Sequence, residues 1–324
     1  MRDTFNRIQR WTLLVIGACA LVAASAHASE TPIYGGPIGG TDIGGAYLPP
    51  QPGLYLAGVF ADAKSDRYYD RNRDRLPIDT TFAANAAVLG ALYVYPGTFL
   101  GGSLASSAQI GFGQRCLRFG TRSCTSGATD LYTDVVFWSR FLGSAATAPG
   151  AGGGHLPYGL VVGGGLGVTA PTGAYSKARS ANTGGNIFIV SPNVAATYLT
   201  GPNFLGGDGT EISGRLFYSS PRRNDATGFD AGAVVDLDWA LTQRYGNWQV
   251  GLTGQQAEQI ENDRLADGQR SGALKFSQGT VGPMVAVFVP SIGSFVKVKL
   301  TFGYDTKNTF DNTGLYVIVS RKAF

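Results

Sequence analysis

The sequence predicts an all-β chain, a transmembrane antiparallel β-barrel of about twelve strands. Three observations carry that expectation. The first is an alternation of period two that recurs up to the last residue, Phe324. Around Val234 to Tyr245 one parity reads Val235, Leu237, Trp239, Leu241, and the other reads Asp236, Asp238, Ala240, Thr242, Arg244. A period of two places these sets on opposite faces of a strand. The second is that nothing beyond the N-terminal leader is apolar for long enough to span a bilayer as a helix, so spanning falls to a sheet closed on itself. The third is an alternation of long, charged connections with short turns, as in outer-membrane barrels.

Residues 1–28 read as a signal peptide. Arg2, Arg7 and Arg10 form a basic start, Trp11 to Ala24 an apolar core of about 14 residues, and Ala26-His27-Ala28 an A-x-A cleavage site. That core is too short for a membrane-spanning helix. Ile16-Gly17-Ala18-Cys19 also resembles a lipobox, which leaves lipidation of Cys19 as the lesser alternative. The leader carries three arginines and one aspartate, so the formal charge of +4 falls to about +2 after cleavage. No basic stripe or patch marks a nucleic-acid site.

Residues 29–53 follow, rich in Gly and Pro, poor in charge and without helix or strand periodicity. Two readings stand open: a loose periplasmic segment, or a plug that enters the lumen with Ile33, Tyr34, Tyr47 and Leu48 as apolar contacts. The barrel is expected over residues 54–324. Its strands are predicted at Leu54–Ala61, Phe82–Tyr95, Phe99–Gly113, Leu131–Leu142, Tyr158–Thr169, Asn186–Leu199, Glu211–Ser219, Gly232–Tyr245, Trp248–Gln259, Leu274–Val289, Phe295–Tyr304 and Leu315–Phe324. Long connections are expected at Lys64–Asp79, Arg115–Thr129, Tyr175–Gly185, Pro221–Asp230 and Ile260–Gly272, with a shorter one at Asp305–Asn312, on the outer rim. Short turns such as Tyr95-Pro96-Gly97, Tyr245-Gly246-Asn247 and Pro290–Ser294 are assigned to the periplasmic rim, together with the Gly/Ala-rich stretch Gly143–His155.

Cys116 and Cys124 lie close together in a polar segment of an exported chain, which points to a disulfide across a loop. A metal site is not expected, because His155 is the only histidine beyond the leader and is remote from both cysteines in sequence. Tyr93, Tyr95, Tyr245, Trp248, Phe302 and Tyr304 fall at strand ends, where interfacial aromatic girdles belong. Phe324 resembles the C-terminal residue by which the barrel-assembly machinery recognises its clients, although Ser320 and Lys322 interrupt the alternation that should lead up to it.

With lipid outside and water within, the polar parity should line the lumen. Asp236, Asp238, Arg244, Gln249, Gln255, Lys297 and Lys299 are the candidates for lumen and solute contact. They stand either as a constriction that passes a small solute or as a packed polar interior. Catalysis is not expected. Gly-x-Ser-x-Gly is absent, His155 falls in a turn, no cofactor motif is present, and the run Gly163-Gly164-Gly165-Leu166-Gly167 lacks a phosphate-binding lysine. Asp236 and Asp238, with Glu258 as a possible third member, are better lumen residues than a glycosidase pair.

The stretches LGVTAPTGAY (Leu166–Tyr175) and NTGGNIFIVSPNVAATYL (Asn182–Leu199), with the run Asp230–Gly268, resemble the outer-membrane family of meta-pathway phenol-degradation proteins. The most specific parts are Pro171-Thr172-Gly173, Asn193 to Tyr198, Gln255-Gln256 followed by Asn262-Asp263, and Gly282-Pro283. The resemblance implies a transmembrane barrel in the bacterial outer membrane, lodged in lipid and associated with aromatic catabolism. No catalytic residue carries over. The expected function is a channel or uptake barrel for small, hydrophobic or aromatic solutes. The alternative is a structural or adhesin-like surface barrel without an open pore.

Overall fold

Alternation at period two drives the chain into long strands, and the computed structural model closes them into a ring. It describes residues 35–37, 40–143, 158–202, 204–271 and 275–324. These lie within the compact unit Ile33–Phe324. The leader, and the connection after Gly143 up to and beyond His155, lie outside the described residues.

Twelve strands form the wall: β1 Gly53–Ser65, β2 Thr80–Val94, β3 Ser103–Phe119, β4 Leu131–Phe141, β5 Gly159–Ala170, β6 Ile189–Leu199, β7 Gly209–Pro221, β8 Val234–Tyr245, β9 Trp248–Gln259, β10 Ser277–Val289, β11 Ser294–Lys307 and β12 Thr313–Lys322. Each pairs antiparallel with its sequence neighbours, and β1 closes on β12 through pairs from Tyr55–Lys322 to Lys64–Thr313. Closure leaves no strand edge unpaired, which hydrocarbon requires.

Exposure follows the parity. Leu237, Leu241, Leu252, Leu300 and Val319 are exposed, while Asp236, Asp238, Thr242, Lys297 and Lys299 are buried. Exposed aromatics edge the apolar belt on both sides: Tyr93, Tyr95, Tyr245, Trp248 and Phe288 toward the short turns, and Phe60, Phe112, Tyr218, Phe302 and Tyr304 toward the long connections. No helix is long and apolar enough to cross a membrane among the described residues. The wall spans with strands, and the protein is an outer-membrane β-barrel.

Two expectations are corrected on β3. Phe99 and Leu100 do not begin the strand. They form a tight turn in which Phe99 and Gly102 exchange backbone hydrogen bonds and Leu100 takes φ 49°. The segment Arg115–Thr129 is not a loop. β3 continues to Phe119, and Thr121–Ala128 folds back against it. Beyond Phe112 water replaces lipid outside the wall, so apolar alternation ceases while the backbone ladder continues, and Leu117 packs with Ala181 and Phe310. Cys116 and Cys124 are register partners across this hairpin, bonded to each other with Cα atoms 4.1 Å apart.

The outer rim is tied together. Tyr68–Tyr69 pairs with Thr309–Phe310, and Tyr68, Phe119 and Phe310 meet edge to face at centroid distances of 5.2–5.5 Å. Arg67 reaches Asp311 at 2.8 Å and Arg73 reaches Asp305 at 2.8 Å. Both carboxylate oxygens of Asp130 accept backbone N–H groups, from Gly173 at 2.8 Å and Gly185 at 2.7 Å.

Candidate functional site

The inner wall divides into two arcs of different chemistry. From β4 to β11 it is polar. The three glycines Gly163, Gly165 and Gly167 on β5 form a floor on which Phe137 and Tyr132 of β4 lie. A Cβ at these positions would approach Phe137 to 2.6 and 2.8 Å and the Tyr132 hydroxyl to 2.5 Å. The Arg215 guanidinium rests over Phe137 at 4.3 Å and over Phe217 at 4.9 Å. It donates to Asp134 Oδ1 at 2.6 Å and Asn193 Oδ1 at 2.8 Å, while Tyr132 donates to the same Asp134 oxygen at 3.0 Å. A bulge in β4 makes this possible. Val135 and Val136 are both exposed, so Asp134 and Phe137 face inward despite opposite parity.

Against this arc lies the described part of the N-terminal segment, a strap running from Gly35 to Leu48. Gly35 donates to Ser219 Oγ at 2.9 Å and accepts from it at 3.0 Å, near the long-connection end of β7. Thr41 donates to Asp238 Oδ2 from its hydroxyl at 2.7 Å and its N–H at 3.3 Å. Asp42 is the anchor, taking Lys297 at 2.5 Å, Lys299 at 2.8 Å and the Thr253 hydroxyl at 2.6 Å. Burial alone would raise the Asp42 pKa, but the two ammonium groups outweigh it and hold the carboxyl well below the usual range. Toward the short-turn end, the N–H groups of Gly44 and Gly45 donate to Glu211 at 2.7 Å and Ser213 at 2.9 Å, and Ser139 donates to the Ala46 carbonyl at 2.5 Å. Ala46, Tyr47 and Leu48 pack on Phe137, Val161, Ala195 and Phe141. Burial, reinforced by Glu211, raises the pKa of Tyr47.

All seven sequence-predicted lumen residues lie on the inner face of the wall, and each has a protein partner. Lys297 and Lys299 hold Asp42, and Asp238 holds Thr41. Arg244 pairs with Glu211 at 2.6 Å, Gln255 donates to Asp236 at 3.0 Å, and Gln249 donates to Thr242 at 2.6 Å. Glu258 does not join Asp236 and Asp238; it is exposed and opposite Val235 in register. Asp42, Asp134, Glu211, Arg215 and Asn193 were missed. The charges of β4 (Asp134 and Arg140) and β7 (Glu211 and Arg215) are spaced more widely than the i, i+2 pairs on β8 and β11 and stood out less, and Asp42 sits in a segment without a period. Several residues behind the family resemblance occupy the rim. Gly173 packs on Gly184 and Asp130, and Asp263 accepts the Gly232 N–H.

On β1 and β2 and at Ile318 of β12 the inner face carries small apolar side chains, while the inward positions of β3 include Ser107 and Gln109 and those of β12 include Tyr316 and Ser320. Ala57, Val59, Ala61, Ala86, Val88 and Ile318 are inward by register and half-buried. Among the described residues the strap's hydrogen bonds to the wall go to the other arc. Lys299 marks the boundary, 4.8 Å above the ring of Tyr316 on β12. No group of three or more His, Cys, Asp or Glu side chains is placed to hold a metal among the described residues.

No curated protein matches the chain. Among solved structures, an outer membrane channel from Pseudomonas putida F1 is similar with a TM-score of 0.70 at 16% identity, covering 86% of this chain and 98% of that one. The β domain of the Bordetella autotransporter BrkA follows at a TM-score of 0.48 and 11% identity, covering 84% and 100%. The translocator domain of the autotransporter NalP from Neisseria meningitidis stands at 0.43 and 12%, covering 86% and 91%. The first shares the fold, and the family model described as "Putative MetA-pathway of phenol degradation" matches residues 65–318. The chain belongs to that family, as an outer-membrane β-barrel with a two-sided lumen.

Proposed function

We propose that the protein is a passive outer-membrane channel for small, weakly polar solutes, aromatic ones above all. The observation that carries this reading is the uneven lining of the lumen. The polar arc is bonded to the strap, whereas β1, β2 and Ile318 of β12 present half-buried alanine, valine and isoleucine side chains to the interior. Water gains little from such a surface, while a flat apolar ring loses little by leaving water to slide along it. The family name and the Pseudomonas channel are consistent with this role. The strap acts as a fixed restrictor that keeps large hydrophilic solutes out, held directly by Asp238, Lys297 and Lys299 and by Glu211, which Arg244 pairs. No catalytic step is part of this function, since the inward carboxylates already hold Thr41, Gln255, Arg215, Arg244 and the two lysines. Lipid, the barrel-assembly machinery and the solute are the partners, and removal of residues 1–28 precedes assembly.

Swelling of liposomes that contain the full-length barrel tests the reading with phenol, benzoate and a disaccharide. The aromatic solutes should enter faster than through protein-free vesicles, and the disaccharide should not. Val88→Trp should slow aromatic entry without lowering the yield of folded barrel. Entry of none of the three above the protein-free rate would leave the surface-barrel alternative in possession.

A further inference from the structure

Glycine inside a strand weakens it, because the backbone loses the most freedom there and no side chain packs, so an interior glycine calls for a reason. Across β12, β1, β2 and β3 four strand glycines face inward by register: Gly90, Gly111, Gly113 and Gly314. Three have neighbours that exclude a side chain. A Cβ would come to 3.0 Å from Val88 and Thr129 at Gly111, would strike the Asn85 carbonyl at Gly113, and would come to 2.7 Å from the Tyr316 ring at Gly314. Gly90 differs. The atoms nearest to a Cβ there are the Ala57 methyl at 3.8 Å and two backbone oxygens at 3.9 Å, which are ordinary contact distances. Its φ lies outside the left-handed region as well. Neither packing nor conformation requires glycine at this position, and the space above it opens to the lumen.

The register frames that opening. Gly90 pairs with Ala57 on β1 and with Gln109 on β3, and Ala57 pairs with Ser320 on β12, so the four form one row across the inner face. Val88 and Leu92 stand two residues to either side along β2, about 13 Å apart on an extended strand, which leaves room for one ring between them. The floor is bare peptide and a methyl group, the walls are aliphatic, and the ends are polar. The seven polar lumen residues described above are all bonded within the protein. The Gln109 amide and the Ser320 hydroxyl, both half-buried, have no hydrogen-bond partner among the described residues. A flat ring can lie on the peptide plane of Gly90 because no Cβ intervenes, and from there a hydroxyl on the ring reaches the neighbouring amide.

We propose that the niche at Gly90 is a binding site for a neutral ring that carries a hydroxyl group, with Gln109 as the hydrogen-bond partner of that hydroxyl. The site rests on the channel reading above and gives it a preference, because a bare hydrocarbon ring of the same size gains the walls but not the amide. One hydrogen bond exchanged with water contributes modestly, so the ring is held weakly enough to leave again.

The test uses the folded full-length barrel in lipid nanodiscs and follows fluorine NMR of 4-fluorophenol and 4-fluorotoluene, with empty nanodiscs subtracted. Wild type should bind 4-fluorophenol saturably and 4-fluorotoluene more weakly. Gln109→Leu should weaken 4-fluorophenol about five- to tenfold, the worth of one neutral hydrogen bond, and should not weaken 4-fluorotoluene. Gly90→Val, which fills the niche, should abolish binding of both, and heat-modifiability gels check that each variant is folded. Should Gly90→Val fail that check, Gln109→Leu decides alone. Saturable binding of 4-fluorophenol that Gln109→Leu leaves unchanged would overturn the niche. Entry of phenol in the swelling assay without any saturable binding would overturn the niche and keep the channel. The expected loss of binding in Gln109→Leu, together with no entry of any solute, would keep the niche and overturn the channel.

Discussion

Asp42 and Lys297 are 255 residues apart in sequence and 2.5 Å apart in the lumen. Removing one partner of a buried pair leaves an uncompensated charge, and Asp42→Asn leaves two ammonium groups facing an amide. The expected loss is about 3–5 kcal/mol, read as a lower unfolding temperature on heat-modifiability gels. The pH dependence has a definite sign. The folded-state value of Asp42 lies below the unfolded one, so its contribution is complete above the unfolded value, about 3.9, and is lost as pH falls through the depressed folded value. The difference between wild type and Asp42→Asn should therefore be flat from about pH 5 to 8 and shrink only in stronger acid. A difference that vanished at pH 6 would rule out the ionised anchor. At this scale the lysines were legible, since Lys297 and Lys299 alternate with Val296, Val298 and Leu300. Their partner was not, because an acidic residue in a glycine-rich stretch carries no period to say which wall it meets.

Among the elements, β8 gives the sharpest contrast between faces. Leu237 and Leu241 are exposed to lipid, whereas Asp238 is buried against Thr41. Leu237→Arg should cost about 2–4 kcal/mol near the midplane and reduce the yield of folded barrel. On β5, Gly165→Val would drive a side chain into Phe137, and overpacking of that kind should cost about 1–3 kcal/mol and displace Arg215 from its ring. Near-UV circular dichroism would register the disturbed aromatic packing. For the hairpin of β3, reduction of Cys116–Cys124 should cost roughly 2–3 kcal/mol on the chain-entropy account. The strands were legible wherever one face meets lipid, and Trp248–Gln259 matches to the residue. The upper half of β3 was not, because water in place of lipid outside the wall removes the alternation. The β4 bulge escaped as well, since one added residue reverses parity in mid-strand.

For the molecule as a whole, the rim assignment has a direct consequence. Exposed Arg71 lies in a long connection and exposed Asn247 in a two-residue turn at the opposite end. Introduced singly as cysteines, Arg71→Cys should react with an impermeant maleimide in intact cells, and Asn247→Cys only after the outer membrane is permeabilised. The reverse pattern would invert the barrel. Strand number and closure were legible from length, alternation and connection pattern. The two-sided lumen was not, because it depends on which inward positions the strap covers.

The strap also bears on the order of events during assembly. It precedes β1, yet it bonds to β4, β6, β7, β8, β9 and β11. The partners that anchor it most firmly are therefore synthesised last. The strap, joined directly to β1, cannot complete its bonds until β11 has joined the wall. Its docking therefore belongs to a late step, close to the β1–β12 sealing that brings together the two ends of the sequence and bears the entropy of closing the longest loop in the chain.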